Sequence, residues 1–356
     1  MEKELRLMKG NEAVAEAAIR AGADGYFGYP ITPQSEILEY LMGANPMETT
    51  GMIVLQAESE VAAINMVYGG AGCGKKVMTT SSSPGISLKQ EGITYIAGSE
   101  LPCLIVNVVR GGPGLGTIQP AQSDYFQAVK GGGHGDYHLI VLAPASVQEM
   151  ADFVDLGFEL AFKYRNPVMM LSDGAIGQMM EKVWLSPQKE RSKTVPEWAT
   201  TGKPPTRERN IITSLELNPD NQEKFNQKLV EKYNRIRENE VRFEEFQCSD
   251  ADYLLVAYGT SARICQKSVQ LARAEGLKAG LLRPITLFPF PSKRIREIAD
   301  KVSLMVSVEM SAGQMVEDVL LSVNGKVPVY HFGRMGGIIP TPDEVVAFLK
   351  SKIIGG

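Results

Sequence analysis

Three polar side chains, those of Thr32, Glu60 and Arg110, each follow an apolar run that has the length of a β-strand. A hydroxyl beside a helix N-terminus and a guanidinium both bind anions, and a carboxyl group can hold or accept a proton. In open α/β sheets, ligands bind beyond the carboxyl ends of the strands. Together the three residues predict a pocket for an anionic small molecule, and a carboxylate would suit it.

The segment from Gly28 to Glu36, which includes Tyr29-Pro30-Ile31-Thr32-Pro33, is the most distinctive part of the sequence. Thr32 followed by Pro33 predicts an N-cap with proline at the first helical position, and the helix should extend to about Met42. Free N–H groups and the positive end of the helix dipole would then face the anion. A turn and cap without any ligand would use the same residues, so the position at a strand end is what favours a binding role.

Glu58 and Glu60 open a helix that is predicted for residues 57–68, and Glu60 precedes the apolar turn Val61-Ala62-Ala63-Ile64. If that turn is buried, the Glu60 carboxyl needs a hydrogen-bond partner, although a glutamate in a first helical turn is also stabilising by itself. Arg110 ends the apolar strand that is predicted for residues 101–109. A purely structural arginine in this place would extend its side chain from the sheet into solvent.

The elements that would position these residues predict an α/β fold with two domains, each a mostly parallel sheet covered by helices. Residues 1–185 alternate apolar runs of strand length with helical patterns, beginning with a helix that Asn11 is expected to cap. Residues 186–249 are expected to form a connector with a bridging helix near residues 221–246. Residues 250–356 repeat the alternation in a second, smaller α/β layer.

Composition excludes several classes of function. The 37 Lys and Arg residues against 41 Asp and Glu residues leave a net charge of −4, which argues against a protein that clamps nucleic-acid phosphates. The apolar runs are about half of the roughly 20 residues that a membrane span needs. The first residues alternate in charge and lead into no apolar run, so we expect no secretory signal and a cytoplasmic location.

Two glycine-rich segments and two histidines invite other interpretations. The stretch from Gly69 to Lys76 is one residue short of a phosphate-binding loop and follows a predicted helix rather than a strand, so we reject that function. The stretch from Gly112 to Gly116 follows a strand but has the wrong glycine spacing, and a nicotinamide-binding dehydrogenase is a weak alternative. His134 and His138 lie in a glycine-rich stretch, which favours a loop over a metal site.

Several segments resemble the alpha subunit of 2-oxoacid:ferredoxin oxidoreductases. They are Lys9-Gly10-Asn11-Glu12-Ala13, Gly28 to Ser35, Glu60-Val61-Ala62-Ala63, Ser81-Ser82-Ser83-Pro84-Gly85 and Ile118 to Asp124. Residues 250–350, with Tyr258-Gly259-Thr260-Ser261 and Arg283 to Pro289, resemble the transketolase C-terminal-type domain that follows in this family. The resemblance covers almost the whole chain, and it is greatest for the branched-chain type that acts on 2-oxoisovalerate.

The resemblance implies a thiamine diphosphate enzyme whose cofactor lies between two chains, with the aminopyrimidine half on a chain of this type. It assigns to Glu60 the hydrogen bond to the pyrimidine N1′, and to Thr32 and Arg110 the binding of the 2-oxoacid. The further cofactor contacts that it implies are Tyr29, Pro30, Ile31 and Ser83. The implied reaction is oxidative decarboxylation to an acyl-coenzyme A, with electrons passing through iron–sulfur clusters to ferredoxin.

The sequence also predicts that the reaction needs partner subunits. Enzymes of this kind hold magnesium and diphosphate with a Gly-Asp-Gly motif followed by Asn, and Ser172-Asp173-Gly174 is the nearest approach, with no Asn before Asn210. The four cysteines are too dispersed for a disulfide framework or an iron–sulfur cluster. The resemblance therefore implies a beta subunit that binds the diphosphate and magnesium, and a gamma or ferredoxin-like subunit that completes the assembly with the clusters.

Some alternatives are left open by the residues themselves. Pyruvate and 2-oxoglutarate are possible substrates, because the resemblance implies a substrate pocket that is shared with another chain. A non-catalytic subunit that only binds and shapes a complex is an alternative from a different class. The turn Gly259-Thr260-Ser261 could bind an anion or pack at a subunit contact.

Overall fold

The computed structural model describes residues 3–354, which fold into three β-sheets covered by helices. The strands are β1 (Glu4–Lys9), β2 (Gly25–Gly28), β3 (Ile53–Gln56), β4 (Val77–Ser81), β5 (Cys103–Val109), β6 (Ile140–Leu142), β7 (Pro167–Asp173), β8 (Met180–Leu185), β9 (Phe243–Phe246), β10 (Tyr253–Val256), β11 (Ala279–Pro284), β12 (Thr286–Phe288), β13 (Leu304–Glu309) and β14 (Val329–Gly333). The helices are α1 (Gly10–Arg20), α2 (Ser35–Ala44), α3 (Pro46–Thr49), α4 (Glu60–Gly72), α5 (Ser83–Gly98), α6 (Tyr125–Val129), α7 (Val147–Tyr164), α8 (Gly174–Gln178), α9 (Pro219–Asn239), α10 (Gly259–Ala274), α11 (Ser292–Ala299), α12 (Met315–Val323) and α13 (Pro342–Ile354).

The largest sheet has seven strands in the order β12-β6-β7-β5-β4-β2-β3. Strands β2 to β7 in this sheet are parallel to their neighbours, and only β12 pairs in the antiparallel direction, with β6. The central strands β5 and β7 are buried along their whole length, because helices cover both faces of the sheet. The continuous apolar runs in the sequence therefore correspond to strands without a solvent face.

The second sheet has five strands in the order β14-β13-β10-β11-β9, of which β9 alone is antiparallel to its neighbour. Helices α10 and α13 cover one side of it, where Cys265, Val269 and Leu349 are buried. The expected architecture, two helix-covered and mostly parallel sheets, is confirmed. Strand β12 comes from residues 286–288 yet completes the first sheet, so the chain crosses back between the two sheets.

The connector between the sheets has two parts. Residues 186–218 form no helix or strand, and they lie along the first sheet, where Arg191 pairs with Asp24. The predicted bridging helix is present as α9, in which Leu229, Tyr233 and Ile236 form the buried stripe. It ends seven residues earlier than the predicted 246, at Asn239, because residues 243–246 form strand β9.

Two helix starts differ from the prediction. Asn11 does not cap α1, because the helix already begins at Gly10 and the Lys9 N–H donates to Glu12 Oε2 at 3.0 Å. Helix α2 begins at Ser35 rather than at Pro33, so Thr32 is not its N-cap. In the part of the chain that the structure describes, no helix is both long and apolar enough to cross a membrane.

Candidate active site

The carboxyl ends of β5, β4, β2 and β3 lie side by side at one edge of the large sheet. The chain runs outward from β2 to β3 and then returns past β2 to β4, and such a reversal in strand order opens a crevice between the loops. The loop after β2 is tied to the loop after β3, because the Ala57 N–H donates to the Gly28 carbonyl at 2.8 Å. This edge therefore gathers Thr32, Glu60 and Arg110.

The first turn of α5 is the centre of this arrangement. Ser83 donates from its hydroxyl to the Arg110 carbonyl at 3.2 Å and accepts the Arg110 N–H at 3.1 Å. Two residues later, a Cβ added to Gly85 would lie 2.8 Å from Glu60 Oε1 and 2.1 Å from the Ser81 hydroxyl oxygen. Only glycine at position 85 leaves room for the Glu60 carboxyl. The first turn of α5 therefore contacts Arg110 through Ser83 and Glu60 through Gly85.

Arg110 is a buried guanidinium, only 8% exposed, without a carboxylate partner among residues 3–354. Its Nη1 donates to the Thr32 carbonyl at 3.0 Å and its Nη2 to the Leu115 carbonyl at 3.0 Å. Its Nε is buried and has no partner among the described residues. Because burying an uncompensated charge is unfavourable, this arrangement is suited to an anion supplied by a ligand.

Thr32 is exposed on a turn that a buried glutamine holds in place. Gln34 donates from Nε2 to the Tyr29 carbonyl at 3.2 Å and accepts the Thr80 hydroxyl, which is also bonded to the Tyr26 hydroxyl. Gln34 is drawn into the core, so the helix starts one residue after it, and this is why Thr32 is a turn residue instead of a cap. The Thr32 hydroxyl is therefore not used as a helix cap.

A second polar network supports the same turn from below. Asn11 donates to the Pro33 carbonyl at 2.8 Å and to Glu36, which also pairs with Lys9 at 2.8 Å. Gln178 donates to the Pro33 carbonyl at 3.0 Å and to Glu36 at 2.6 Å. The segment from Lys9 to Ala13 is therefore linked physically to the Thr32 turn, although the two are distant in the sequence.

Glu60 is the first residue of α4 and is 7% exposed. Ser59 caps this helix by accepting the Ala62 N–H at 3.2 Å, so the Glu60 side chain is free from capping. No hydrogen bond reaches its carboxyl from any residue that the structure describes. The apolar turn after it is only half covered, because Ala63 and Ile64 are buried whereas Val61 is 46% exposed.

The remaining predicted cofactor residues lie around the same crevice. Tyr29 and Ile31 are half-buried and Pro30 is exposed, all three in the loop after β2. Ser83 is half-buried, and its N–H donates to Asn107 Oδ1 at 3.2 Å. Asn107 in turn donates to Asp124, whose pKa is raised by burial. The segment from Ile118 to Asp124 thus supports Ser83 from behind.

Lys89 is a residue of this region that the sequence interpretation missed. It lies one helical turn after Gly85 on α5, is fully buried, and donates to the Glu60 main-chain carbonyl at 3.4 Å. Burial lowers its pKa to about 8, and the neighbouring Glu60 opposes that shift. A signal was present in the sequence, because Lys89 stands at helical spacing between the apolar positions Ile86 and Ile93.

The two glycine-rich stretches and the motif Ser172-Asp173-Gly174 have structural roles in the fold. Gly69, Gly70 and Gly72 lie in the last turns of α4, and the next helix after Gly116 begins only at Tyr125. Asp173 accepts the N–H groups of Ala175 and Ile176 and the Thr260 hydroxyl at 2.8 Å, so its carboxylate is committed to internal contacts. The turn at Gly259 to Ser261 is therefore an internal contact between the two sheets.

Comparisons with known proteins agree with this geometry. Residues 16–245 match the family described as "Pyruvate flavodoxin/ferredoxin oxidoreductase, thiamine diP-bdg". Residues 251–345 match "Pyruvate:ferredoxin oxidoreductase core domain II". The ketoisovalerate oxidoreductase subunit VorB of Methanothermobacter thermautotrophicus is 55% identical over 93% of both chains. This chain is an alpha-type subunit of the 2-oxoacid:ferredoxin oxidoreductase family.

Other members of the 2-oxoacid:ferredoxin oxidoreductase family are more distant. The 2-oxoglutarate synthase subunit KorA of Methanothermobacter marburgensis is 37% identical over 98% of both chains. The solved 2-oxoglutarate:ferredoxin oxidoreductase of Magnetococcus marinus has a TM-score of 0.85 and 28% identity over 99% of this chain and 66% of that chain. A split-gene transketolase shares the fold alone, with a TM-score of 0.61 at 14% identity.

The residues present fit the pyrimidine half of the thiamine diphosphate that this oxidoreductase family binds. The Glu60 carboxyl lacks a donor among the described residues, and Gly85 leaves space where any side chain would clash. The hydroxyls of Ser81 and Ser82 are buried without partners within residues 3–354. For a metal the fit is poor, because no group of three or more His, Cys, Asp or Glu residues in the described chain could hold one.

Proposed function

We propose that this chain holds the aminopyrimidine half of thiamine diphosphate in a branched-chain 2-oxoacid:ferredoxin oxidoreductase, with 2-oxoisovalerate as substrate and coenzyme A as acyl acceptor. The observation that carries the proposal is the pair of uncompensated groups on the two sides of the first turn of α5. The Glu60 carboxyl lies against Gly85, and the Arg110 guanidinium lies beside Ser83. The two 55% and 54% identical relatives, both named ketoisovalerate oxidoreductase subunit VorB, support the substrate.

Glu60 is proposed to share a proton with the pyrimidine N1′. A carboxyl at a helix start, nearly dry and without a competing donor from the described residues, makes a strong hydrogen bond to a ring nitrogen. When bound, thiamine diphosphate supplies a C2 carbanion that adds to the carbonyl carbon of a 2-oxoacid. Glu60 contributes by holding the proton that must move on and off the ring during that activation.

Arg110 and Thr32 are proposed to bind the 2-oxoacid. The guanidinium is oriented by the Thr32 and Leu115 carbonyls, and its buried Nε has no partner among the described residues. A guanidinium held in this way gives a carboxylate charge-assisted hydrogen bonds and a fixed orientation. The exposed Thr32 hydroxyl adds a donor on the solvent side. Tyr29, Pro30, Ile31 and Ser83 are proposed to form the surrounding wall of the cofactor site.

Partner subunits are proposed to complete the site. The outer face of α4 and α5, defined here as Val61, Asn65, Met66 and Leu88, is exposed and begins one residue after Glu60. Apolar residues at this place suit a chain that covers Glu60 and brings the diphosphate and its magnesium. The iron–sulfur clusters are expected on partner subunits as well, since Cys73, Cys103, Cys248 and Cys265 are dispersed free thiols.

The test is purification of the complex that contains this chain, followed by ferredoxin reduction with several 2-oxoacids in the presence of coenzyme A. We expect kcat/KM to be higher for 2-oxoisovalerate than for pyruvate or 2-oxoglutarate. A higher kcat/KM with 2-oxoglutarate would contradict the substrate proposal but retain the reaction class. Absence of coenzyme A-dependent ferredoxin reduction with every 2-oxoacid would contradict the catalytic role and favour a subunit that only binds.

A further inference from the structure

The surroundings of Lys89 differ from those of a lysine that has a structural role at the protein surface. Its side chain is enclosed between α4 and α5, and it has no carboxylate within ion-pair distance among residues 3–354. Its Nζ makes one long hydrogen bond, 3.4 Å to the Glu60 carbonyl. Lysine is almost never fully buried without a partner, because desolvation of an ammonium is costly.

The packing of the two helices explains how the side chain comes to lie behind Glu60. A Cβ at Gly85 would contact the Glu60 side chain, and a Cβ at Gly92 would lie 2.5 Å from Ile64 Cγ2, so α5 packs its glycine face closely on α4. Lys89 stands between these two glycines at helical spacing. Side chains on a helix point toward its N-terminus, which for Lys89 is the direction of Gly85 and Glu60.

The charges around Lys89 are few. Glu60 is the only charged residue of α4, and Glu91, the other charged residue of α5, is exposed. Strand β5 carries no charged residue, and β7 carries only Asp173, which is bonded to Thr260. Burial lowers the pKa of Lys89 to about 8, and Glu60 is the one charged group that acts on it in the opposite direction. Among these four elements, Glu60 is therefore the one charged neighbour that acts on the pKa of Lys89.

We propose that Lys89 is a positioning residue that fixes the first turn of α4 and places a titratable charge behind the Glu60 carboxyl, so that its charge state controls how strongly Glu60 holds the proton shared with the cofactor ring. The inference rests on the proposed function. A charged ammonium behind the first turn of α4 attracts negative charge toward that turn, and a neutral amine does not. No proton needs to pass directly between the two side chains for this coupling.

Two substitutions separate the charge from the packing. Lys89→Arg keeps a positive charge at every working pH, whereas Lys89→Met keeps an unbranched side chain, one atom shorter, without any charge. Lys232→Met is the matched control, because Lys232 is another buried lysine whose pKa burial lowers to about 8, but it lies on α9 and pairs with Glu100, just after the C-terminal end of α5. All three variants are made in the assembled complex.

The experiment measures two properties between pH 6 and pH 10. The first is the number of protons exchanged when thiamine diphosphate with magnesium binds, obtained by calorimetry in buffers of different ionisation heat. The second is the rate of hydrogen exchange at C2 of the bound cofactor. We expect both to show a component near pH 8 in the wild-type complex and in Lys232→Met. That component should be lost in both Lys89 variants.

The two Lys89 variants should also differ from each other in a defined way. The exchange rate of Lys89→Arg should match the wild-type rate at pH 6 and depart from it severalfold above pH 8. The exchange rate of Lys89→Met should differ from the wild-type rate at pH 6 and match it above pH 9. Persistence of the component near pH 8 in either variant would overturn the inference.

The design separates this inference from the proposed function. If Glu60→Gln abolishes C2 exchange while both Lys89 variants keep the wild-type pH dependence, the proposed function stands and the role of Lys89 is wrong. If thiamine diphosphate does not bind the complex, or if Glu60→Gln exchanges normally, the proposed role of Glu60 is wrong and the role of Lys89 falls with it.

Discussion

At the scale of single residues, the crevice is defined by groups that this chain leaves unsatisfied. The Glu60 carboxyl, the Arg110 Nε and the Ser81 and Ser82 hydroxyls are buried or nearly so, and the described residues give them no partner. Most buried polar groups in folded proteins are hydrogen-bonded, so a cluster of exceptions at a sheet edge is suited to a ligand that supplies the partners. Their distribution around the first turn of α5 gives the site its two ends, one acidic and one basic.

Glu60 allows a direct prediction. Glu60→Gln keeps the shape of the side chain but removes the group that takes the shared proton. We expect C2 hydrogen exchange of bound thiamine diphosphate in the complex to slow by on the order of 100-fold or more, with little change in cofactor binding. The measurement is exchange into deuterated water followed by NMR. Glu58→Gln is the control, because Glu58 is exposed just before the helix cap and, among residues 3–354, accepts a side-chain hydrogen bond from Ser59 alone.

At the scale of elements, the contact between β7 and α10 holds the two sheets together. Asp173 is fully buried, and burial raises its pKa while bonds from Thr260 oppose that shift. On the other side of the same contact, Gln122 accepts the Ser261 hydroxyl at 2.7 Å and donates to the Tyr258 carbonyl at 2.9 Å. Through these bonds the turn at residues 259–261 packs against other parts of the same chain. The internal contacts explain this turn without a bound anion.

Thr260 tests this contact. Thr260→Val removes the hydroxyl that donates to Asp173 at 2.8 Å and leaves a buried carboxylate with one bond fewer. We expect the free energy of unfolding to fall by about 2 kcal/mol, as measured by urea denaturation of the purified chain. Thr260→Ser, which retains the hydroxyl, should lose much less. Equal stability of the valine variant and the wild type would show that the Asp173 bond does not stabilise the junction.

At the scale of the whole molecule, one exposed apolar surface lies beside the site. Edge strand β3 exposes Ile53 and Leu55, and the outer face of α4 and α5 follows it directly. An unpaired strand edge next to apolar side chains is a surface that proteins normally cover. In a multisubunit family this is the expected position of the chain that shares the cofactor.

The assembly can be tested with a charge on that face. Met66→Lys, at an exposed position of α4 away from the crevice lining, should leave the chain folded but weaken its association with the partner subunit. Analytical ultracentrifugation of co-expressed subunits would show a larger fraction of free chain. Leu321→Lys, at an exposed apolar position of α12, is the matched control and should assemble normally. Normal assembly of the Met66 variant would place the partner elsewhere.

Much of the fold was predictable because its signals are local. Strands β5 and β7 are buried on both faces, and this burial gives continuous apolar runs in their own segments. Helices α7 and α9 are buried on one face, and this burial gives a helical period that is also visible within each segment. The helix starts at α1 and α2 were predicted wrongly, because the side chains of Asn11 and Gln34 are used by distant segments instead of by their own helix. A capping preference is a local energy of about 1 kcal/mol, and buried networks of hydrogen bonds outweigh it.

The sequence by itself determined the types of the candidate site residues, their order along parallel strands and the family to which the chain belongs. Only the tertiary structure decided that Arg110 lacks a carboxylate partner among the described residues, that Asp173 and Thr260 are used internally, and that Lys89 lies behind Glu60. The physical reason is that desolvation and hydrogen-bond satisfaction depend on every atom around a group. Those neighbours come from segments tens to more than a hundred residues away, which no local pattern records.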